Sequence, residues 1–246
     1  MSIAENVQKA QEKVREAALA AGRAPEEVRI LLASKTVEPD GIGQALTAGA
    51  DLFGENRIQE ALGKQDQLQQ IIAGLDHPVE QHFIGHLQSN KIKDMLGFAS
   101  MLHSLDRPSL AKKLNTALER IAGQNDASSS ELSPPLPFPV LIQVNTSEEE
   151  SKFGVEPESA QSLVDLVLSL PMLELRGCMT IGLFSDDTEA VRRGFRRLRE
   201  IRDAAQQHTG RALPELSMGM SGDFALAVAE GATIVRLGSS VFGSRA

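Results

Sequence analysis

Apolar and polar positions follow two distinct periods along this chain. Residues 3–21 carry apolar side chains at three- and four-residue steps, the pattern of an amphipathic helix, and Gly22 ends it. Beyond this helix, short continuous apolar runs alternate with further stretches of helical period. Continuous apolar runs of this kind are typical of parallel strands that are covered on both faces.

The apolar runs predict eight strands, at about 28–34, 51–54, 81–85, 99–104, 138–144, 173–179, 215–218 and 233–237. The stretches of helical period predict further helices at about 38–49, 57–73, 88–96, 107–122, 157–169, 187–208 and 221–230. Strict alternation of strand and helix predicts a parallel sheet, and eight repeats fit a closed (β/α)₈ TIM barrel. A doubly wound open sheet is the alternative, but eight units favour closure.

One segment departs from this rhythm. Residues 123–137 are rich in Ser and Pro, and we interpret them as a flexible surface insertion before the fifth strand. The insertion falls on the face of the barrel opposite the strand ends where sites form, so we assign it no role in chemistry. Because few residues follow the last predicted strand, we expect a single domain over residues 1–246.

Composition and charge argue against several classes of protein. A net charge of −8 argues against broad nucleic-acid binding, and we interpret the arginine-rich stretch 192–199 as the solvated face of a helix. The one cysteine, Cys178, lies in an apolar run, where we expect a small core residue; it excludes an intramolecular disulfide. We see neither a secretory signal nor a membrane-spanning stretch, so we expect a cytoplasmic protein that does not bind membranes.

Lys35 directly follows the first buried strand, and sites in such barrels lie at the carboxyl ends of strands. Partial burial there would favour the neutral amine, which is a nucleophile toward aldehydes. Lys35 is therefore a candidate for a Schiff base. The alternative is a lysine that extends its ammonium group to solvent.

The last two strand ends predict a phosphate site. Ser221 is expected to start a helix, Gly238 would let the backbone approach closely, and Ser239 would add a hydroxyl donor. A plain helix cap at Ser221 and a plain turn at Gly238 are the alternatives. Arg236 would emerge beside this site and could pair with phosphate or with a ring nitrogen, or instead form a salt bridge to Asp223 or Glu55.

The remaining motifs add little. His82, His86 and His103 have no metal-ligand spacing, and His82 is interpreted as a core or supporting residue. No HExxH pattern, nucleophile elbow, Walker loop or dinucleotide fingerprint is present. We therefore predict no metal site.

The run HFIGHLQSNK at 82–91 is long enough to be a highly specific motif. Further motifs lie at 32–36, 53–56, 103–107, 143–145, 151–154, 179–180, 218–223, 236–238 and 242–243. Together these stretches, which run from one end of the chain to the other, resemble the pyridoxal phosphate homeostasis proteins. Ser239-Ser240 stands where Thr-Ala is commoner in the family, and serine keeps the hydroxyl. The segment 123–137 touches no matching motif.

The resemblance implies a fold like the N-terminal barrel of alanine racemase, with pyridoxal 5'-phosphate (PLP) bound as a Schiff base on Lys35. By the same resemblance, Asn56 lies near the ring, Arg236 lies near the pyridine nitrogen, and Ser221, Gly238 and Ser239 hold the phosphate. Met218 belongs to the matching stretch 218–223 and is included among the cofactor-binding residues.

The resemblance also implies a carrier rather than a racemase. Racemases of this fold use a tyrosine as one of two bases, and this sequence contains no tyrosine. The first hypothesis is a monomer that buffers PLP and delivers it to apo-enzymes. The second is a PLP-dependent enzyme acting on amino acids with Lys35 as its sole base, aided by His86 or Asp106. The third is a phosphate-binding barrel enzyme without PLP.

Overall fold

The computed structural model describes residues 2–124, 134–147, 149 and 153–243. Residues 125–133, the larger part of the predicted insertion, lie outside this set, as do Ser151 and Lys152 of one matching stretch.

Eight parallel strands close into a barrel in which each strand pairs with its sequence neighbours and β8 pairs with β1. The register places Leu31 of β1 beside Arg236 of β8 and Ala33 beside Gly54 of β2. The strands are β1 Arg29–Ala33, β2 Leu52–Glu55, β3 Glu80–Phe83, β4 Met101–Leu105, β5 Phe138–Gln143, β6 Leu173–Met179, β7 Glu215–Met220 and β8 Ile234–Leu237. The predicted closed (β/α)₈ barrel is therefore confirmed.

Helices connect the strands on the outside of the barrel. Within the described ranges the α-helices are α1 Ile3–Ala20, α2 Pro39–Thr47, α3 Ile58–Ala73, α4 Ile92–Leu96, α5 Pro108–Gln124, α6 Ala160–Leu168, α7 Thr188–Thr209, α8 Phe224–Ala229 and α9 Ser239–Phe242. The N-terminal helix begins with a capping box, in which Ser2 and Glu5 each bond the other's backbone N–H.

Two predicted helices are wrong in detail. The helix predicted at 221–230 begins only at Phe224, so Ser221 lies in the preceding turn and does not start a helix. The helix predicted at 88–96 opens as a 3₁₀ turn over Ser89–Lys91. Helix α9 directly follows Gly238, where only a loop was expected. Short elements of this length carry too little periodic pattern to be placed by sequence alone.

Alternate residues of each strand face opposite sides of the sheet. Outward-facing side chains such as Leu32, Phe53 and Leu102 pack against the helices in the main core, which also holds Cys178 as predicted. Burial raises the pKa of the Cys178 thiol to about 12. The inward-facing positions carry two small apolar clusters, namely Leu31, Leu52, Ile234 and Met101, Leu141, Met179. Buried polar side chains at these positions include His82, His103, Ser217 and Arg236.

The arginine-rich face of α7 is partly exposed, as expected for a solvated face, but three of its arginines are also paired with a buried carboxylate. Arg192, Arg196 and Arg199 all contact the carboxylate of Glu230, at 3.0, 3.1 and 3.0 Å. The side chain of Glu230 is only 4% exposed. The arginines therefore fasten α7 to the end of α8 instead of forming a free cationic surface.

Candidate functional site

A cavity of about 730 Å³ opens at the carboxyl ends of the strands. It is lined by residues from most of the loops that follow those strands, which is the usual location of sites in this fold. Six predicted site residues belong to its wall: Lys35, Asn56, Ser221, Arg236, Gly238 and Ser239. Residues from the first strand end and from the last thus meet around one space.

Lys35 occupies the second position of a tight turn that follows β1. The Val37 N–H donates to the Ser34 carbonyl at 3.1 Å, so Lys35 and Thr36 form the centre of the turn. Thr36 has a φ of 60°, which is an unfavourable conformation for a β-branched residue. The Glu60 carboxylate accepts from the Thr36 N–H at 3.1 Å and helps to hold this conformation. The predicted partial burial of Lys35 is wrong, because the residue is exposed.

A buried ion pair lies under this turn. The Lys64 ammonium meets Glu55 Oε1 at 2.7 Å, and the two side chains are 8% and 0% exposed. The same ammonium donates to the carbonyls of Ser34 and Val37, at 3.1 and 3.2 Å. These carbonyls flank Lys35 and Thr36, so Lys64 clamps both ends of the turn that presents Lys35. Sequence reasoning missed this clamp, because Lys64 sits in the middle of a helix with no motif around it.

The loops after β7 and β8 meet at the cavity wall beside the carboxyl end of β1. Ser221 Oγ lies 3.2 Å from Ser240 Oγ and accepts from the Gly238 N–H at 3.4 Å. A β-carbon on Gly238 would lie 3.2 Å from the Ala33 carbonyl oxygen, so glycine allows this loop to approach β1. With Ser239 on the same wall, hydroxyl and backbone donors converge there.

Arg236 lies at the barrel end of the cavity and is 6% exposed. One terminal nitrogen donates to the Ser217 carbonyl and hydroxyl, at 2.7 and 3.0 Å, and the other donates to the Thr180 carbonyl at 2.8 Å. Among the described residues no carboxylate forms a salt bridge with it, so the alternative of a pair with Asp223 or Glu55 is not observed. Burial lowers the pKa of Arg236 to about 10, which still leaves the guanidinium charged at neutral pH.

Asn56 and Met218 differ in position. Asn56 lines the cavity, and its side-chain oxygen is buried without a hydrogen-bond partner among the described residues. Met218 is fully buried in the main core, and the β7 residue on the cavity wall is Met220. Strand alternation turns residue 218 toward the helices and residue 217 toward the barrel interior, and a register shift between Ser217 and Met220 brings residue 220 to the cavity wall.

The cavity has an apolar side that sequence reasoning missed. Phe153 and the β6–α7 loop residues Ile181 and Phe184 line it, and Phe184 is 96% exposed. The ring of His86 stacks on Phe153 at 3.9 Å, and its Nδ1 lies 3.2 Å from the Asp106 carboxylate. Ile181 and Phe184 are apolar residues in a predicted loop, and this was the sequence signal for the apolar side of the cavity.

The part of the chain that the structure describes meets the requirements of neither a metal site nor a membrane-spanning helix. Across the described ranges, no three His, Cys, Asp or Glu side chains are grouped so that they could hold a metal ion. None of the helices in the same ranges combines the length and the apolar character needed to cross a bilayer.

Comparison with known proteins decides the family. The family model for the N-terminal domain of alanine racemase matches residues 2–246. A pyridoxal phosphate homeostasis protein from Aquifex aeolicus is 41% identical over 245 residues, covering 100% of this chain and 99% of the relative. One from Pseudomonas aeruginosa is 42% identical, covering 99% and 96%. The chain belongs to the pyridoxal phosphate homeostasis protein family.

Solved structures agree with this family assignment. PipY of Synechococcus elongatus, crystallised with PLP bound, superposes with a TM-score of 0.79 at 28% identity, covering 98% of this chain and all of PipY. An alanine racemase from Corynebacterium glutamicum gives a TM-score of 0.63 at 19% identity, covering 97% of this chain but 59% of the racemase. At this level of identity, the racemase comparison supports the fold alone. It agrees with the predicted likeness to the N-terminal barrel of alanine racemase.

Proposed function

We propose that this protein binds PLP in the cavity, carries it as a Schiff base on Lys35, and buffers or delivers it within the cell. The observation that carries the proposal is the convergence of Lys35, the Ser221–Gly238–Ser239 wall and Arg236 on one cavity in a member of this family. A lysine amine can link the aldehyde, hydroxyl and backbone donors can hold the phosphate, and an arginine can face the pyridine nitrogen of such a cofactor.

The cavity and its donors fit the cofactor. Its volume of about 730 Å³ lies within the usual range for small-molecule sites. The hydroxyls of Ser221 and Ser239 and the backbone around Gly238 offer donors to a phosphate, although Ser221 does so from a turn and not from a helix start. Asn56 also lines the cavity, and its buried side-chain oxygen has no hydrogen-bond partner among the described residues.

Lys35 supplies the covalent link. The unprotonated form of its amine would form a carbon–nitrogen double bond with the aldehyde carbon of the cofactor, and one water molecule would be released. The reaction is reversible, as a carrier requires. Because Lys35 is exposed at the cavity wall, solvent can reach the linkage for hydrolysis and release.

Arg236 favours a carrier over an enzyme. A guanidinium that stays charged keeps a neighbouring ring nitrogen unprotonated, and a neutral ring is a weak electron sink. The sequence contains no tyrosine to act as the second base of a racemase. The His86–Asp106 pair on the cavity side supports the second candidate, a PLP enzyme acting on amino acids; turnover by the loaded protein would establish it.

The test is an absorption spectrum of the protein loaded with PLP, before and after borohydride, followed by peptide mapping. We expect a visible band that collapses on reduction and an adduct on Lys35 that is absent from Lys35→Ala. Lys93→Ala is the matched control, because Lys93 is also exposed but lies outside the cavity wall. If no adduct forms on Lys35 in the native chain, the proposal is wrong and a phosphate-binding barrel without PLP is favoured.

The finer parts of the proposal have their own tests. Delivery to apo-enzymes predicts that loaded protein reactivates an apo-PLP enzyme faster than free PLP does at the same free concentration. A monomer predicts an apparent mass near 26.5 kDa in solution. Cell fractionation tests the proposed cytoplasmic location.

A further inference from the structure

A continuous hydrogen-bonded chain crosses the barrel interior and ends at Arg236. It starts at Glu80, whose Oε2 lies 3.0 Å from His82 Nε2, and continues from His82 Nδ1 to His103 Nε2 at 2.9 Å. His103 Nδ1 lies 3.0 Å from Ser217 Oγ, which is 3.0 Å from Arg236. His82, His103 and Ser217 are fully buried.

Chemistry fixes the direction of every proton in this chain. Hydrogen bonds from His82 and Arg29 hold the pKa of Glu80 down to about 2, so its carboxylate can only accept. Burial lowers the pKa of both histidines, which are therefore neutral. A neutral His82 that donates from Nε2 must accept at Nδ1.

The remaining links follow from the first. His103 must donate from Nε2 to His82 and accept at Nδ1, so the Ser217 hydroxyl donates its proton to His103. The Ser217 oxygen is then left to accept from the Arg236 guanidinium. Every hydrogen bond is donated away from Arg236 and toward Glu80, and bonds aligned in this way polarise and strengthen one another.

The same donors and acceptors exclude the opposite direction of these hydrogen bonds. If His103 Nδ1 donated to Ser217, His103 Nε2 would have to accept from His82 Nδ1. A neutral His82 would then turn a lone pair toward the Glu80 carboxylate, placing two acceptors 3.0 Å apart. Only a charged His82 would repair that contact, and its burial opposes a charge.

We propose that His103 and Ser217 are positioning residues that hold Arg236 in place for the bound cofactor through this one-directional chain. The inference rests on the proposed function. A carboxylate bound directly to the guanidinium would neutralise its charge toward the ring. Here the Glu80 carboxylate is separated from Arg236 by His82, His103 and Ser217, so neutral groups orient Arg236 while its charge stays available to the cavity.

The first test reads the protons directly. In the ¹⁵N-labelled native protein at neutral pH, NMR of the imidazole nitrogens should show His82 and His103 as neutral rings with the proton on Nε2. His82→Gln and His103→Asn assign the two signals among the five histidines. A charged ring, or a proton on Nδ1 of either residue, would overturn the direction of the chain and the proposal with it.

The second test measures the effect on PLP. Ser217→Ala removes the last link, and His103→Leu removes the acceptor for Ser217. Each is expected to raise the apparent PLP dissociation constant about tenfold and to shift the absorption maximum of the bound cofactor. Ser217→Ala removes a hydrogen bond to the charged guanidinium, and His103→Leu removes the acceptor that orients the Ser217 hydroxyl for that bond. His103→Asn keeps an acceptor near the Nδ1 position and should restore most of the native behaviour, which a merely structural role for His103 does not predict.

Met101→Leu is the matched control, because Met101 is an inward-facing residue of β4, the strand that carries His103, but belongs to none of the hydrogen bonds between Glu80 and Arg236. Circular dichroism confirms that each variant is folded. Folded Ser217→Ala and His103→Leu proteins with native affinity and spectrum would overturn this role alone. If the native protein takes up no PLP, the proposed function and the positioning role fail together.

Discussion

Lys64→Met should be among the most damaging single substitutions in this protein. The substitution would leave the Glu55 carboxylate, which is 0% exposed, without its counter-ion. The Oε2 atom of Glu55 already has no hydrogen-bond partner among the described residues. Removing one partner of a buried ion pair costs about 3–5 kcal/mol. The carbonyls of Ser34 and Val37 would lose their donor as well.

The same substitution should impair Lys35. The turn at 34–37 holds Thr36 at a φ of 60°, a strain of about 1–3 kcal/mol that the surrounding contacts must offset. Without the Lys64 clamp the turn relaxes and Lys35 loses its fixed position. We expect the rate of PLP uptake to fall about tenfold, which corresponds to about 1.4 kcal/mol in the barrier.

Urea unfolding followed by far-UV circular dichroism measures the stability change, because the chain has neither Trp nor Tyr for intrinsic fluorescence. The double variant Glu55→Gln with Lys64→Met removes both charges and should recover at least about 2 kcal/mol of the loss. Lys91→Met is the control, since its 3.0 Å pair with Asp94 is partly exposed and should matter by less than about 1 kcal/mol. A Lys64→Met protein as stable as Lys91→Met would refute the reasoning, as would a double variant no more stable than the single one.

Two further perturbations test other parts of the structure. Glu230→Gln should lower the free energy of unfolding at pH 7 by about 1–3 kcal/mol, a value reduced from that of a fully buried pair because the three arginines are about one-third exposed. Burial raises the pKa of Glu230, but hydrogen bonds from Arg196 and Arg192 outweigh burial and lower it below 4.5. The native carboxylate therefore stabilises the fold above about pH 4.5 and loses this effect as pH falls through its folded pKa. The urea midpoints of native and variant protein should converge in acid. A constant difference between the two midpoints across pH would contradict this. Gly85→Ala should destabilise the protein and weaken PLP binding, because the added carbon would lie 2.0 Å from the Asn56 carbonyl oxygen. Gly63→Ala is the control, because Gly63 lies in the middle of α3 and an added carbon there would have no neighbour within 4 Å beyond its own helix backbone. This change should be neutral or stabilising by up to about 1 kcal/mol. Equal thermal midpoints for the two variants would show that the close approach of Gly85 to Asn56 is unimportant.

The arginines of α7 show where local pattern misleads. Arg192, Arg196 and Arg199 lie on a helix that also carries acidic residues, so a solvated face was the natural interpretation. Their partner is Glu230, which is distant in sequence and buried at the end of α8. A helical pattern shows which residues share a face but not which side chain of another element that face meets.

Ser221 and Lys35 show the same limit on a smaller scale. Both lie at the predicted strand ends and both line the cavity, as expected. The predicted helix start at Ser221 was wrong because the turn 221–223 precedes α8, and the predicted burial of Lys35 was wrong because the turn carries it to the surface. Position along the chain was predictable, whereas local backbone geometry was not.

The class of fold and the ends of the strands could be predicted from the pattern of residues along the chain. The period of apolar residues is a local property, and eight repeats of strand and helix leave few architectures that can bury them all. The motifs also determined the family, because their residues and spacings can be read without any contact. Lys35, Arg236 and the serines of the last two loops could therefore be selected from their positions along the chain alone.

The contacts that hold these groups in place depend on how the barrel closes and packs. His103 and Ser217 are 114 positions apart and meet only because the barrel closes with a particular register and brings inward-facing residues of β4 and β7 together. The clamp of Lys64 on the Lys35 turn likewise depends on how α3 packs against β1 and β2. Hydrogen bonds and buried ion pairs form over about 3 Å, so they depend on packing distances that a pattern of residue types does not contain.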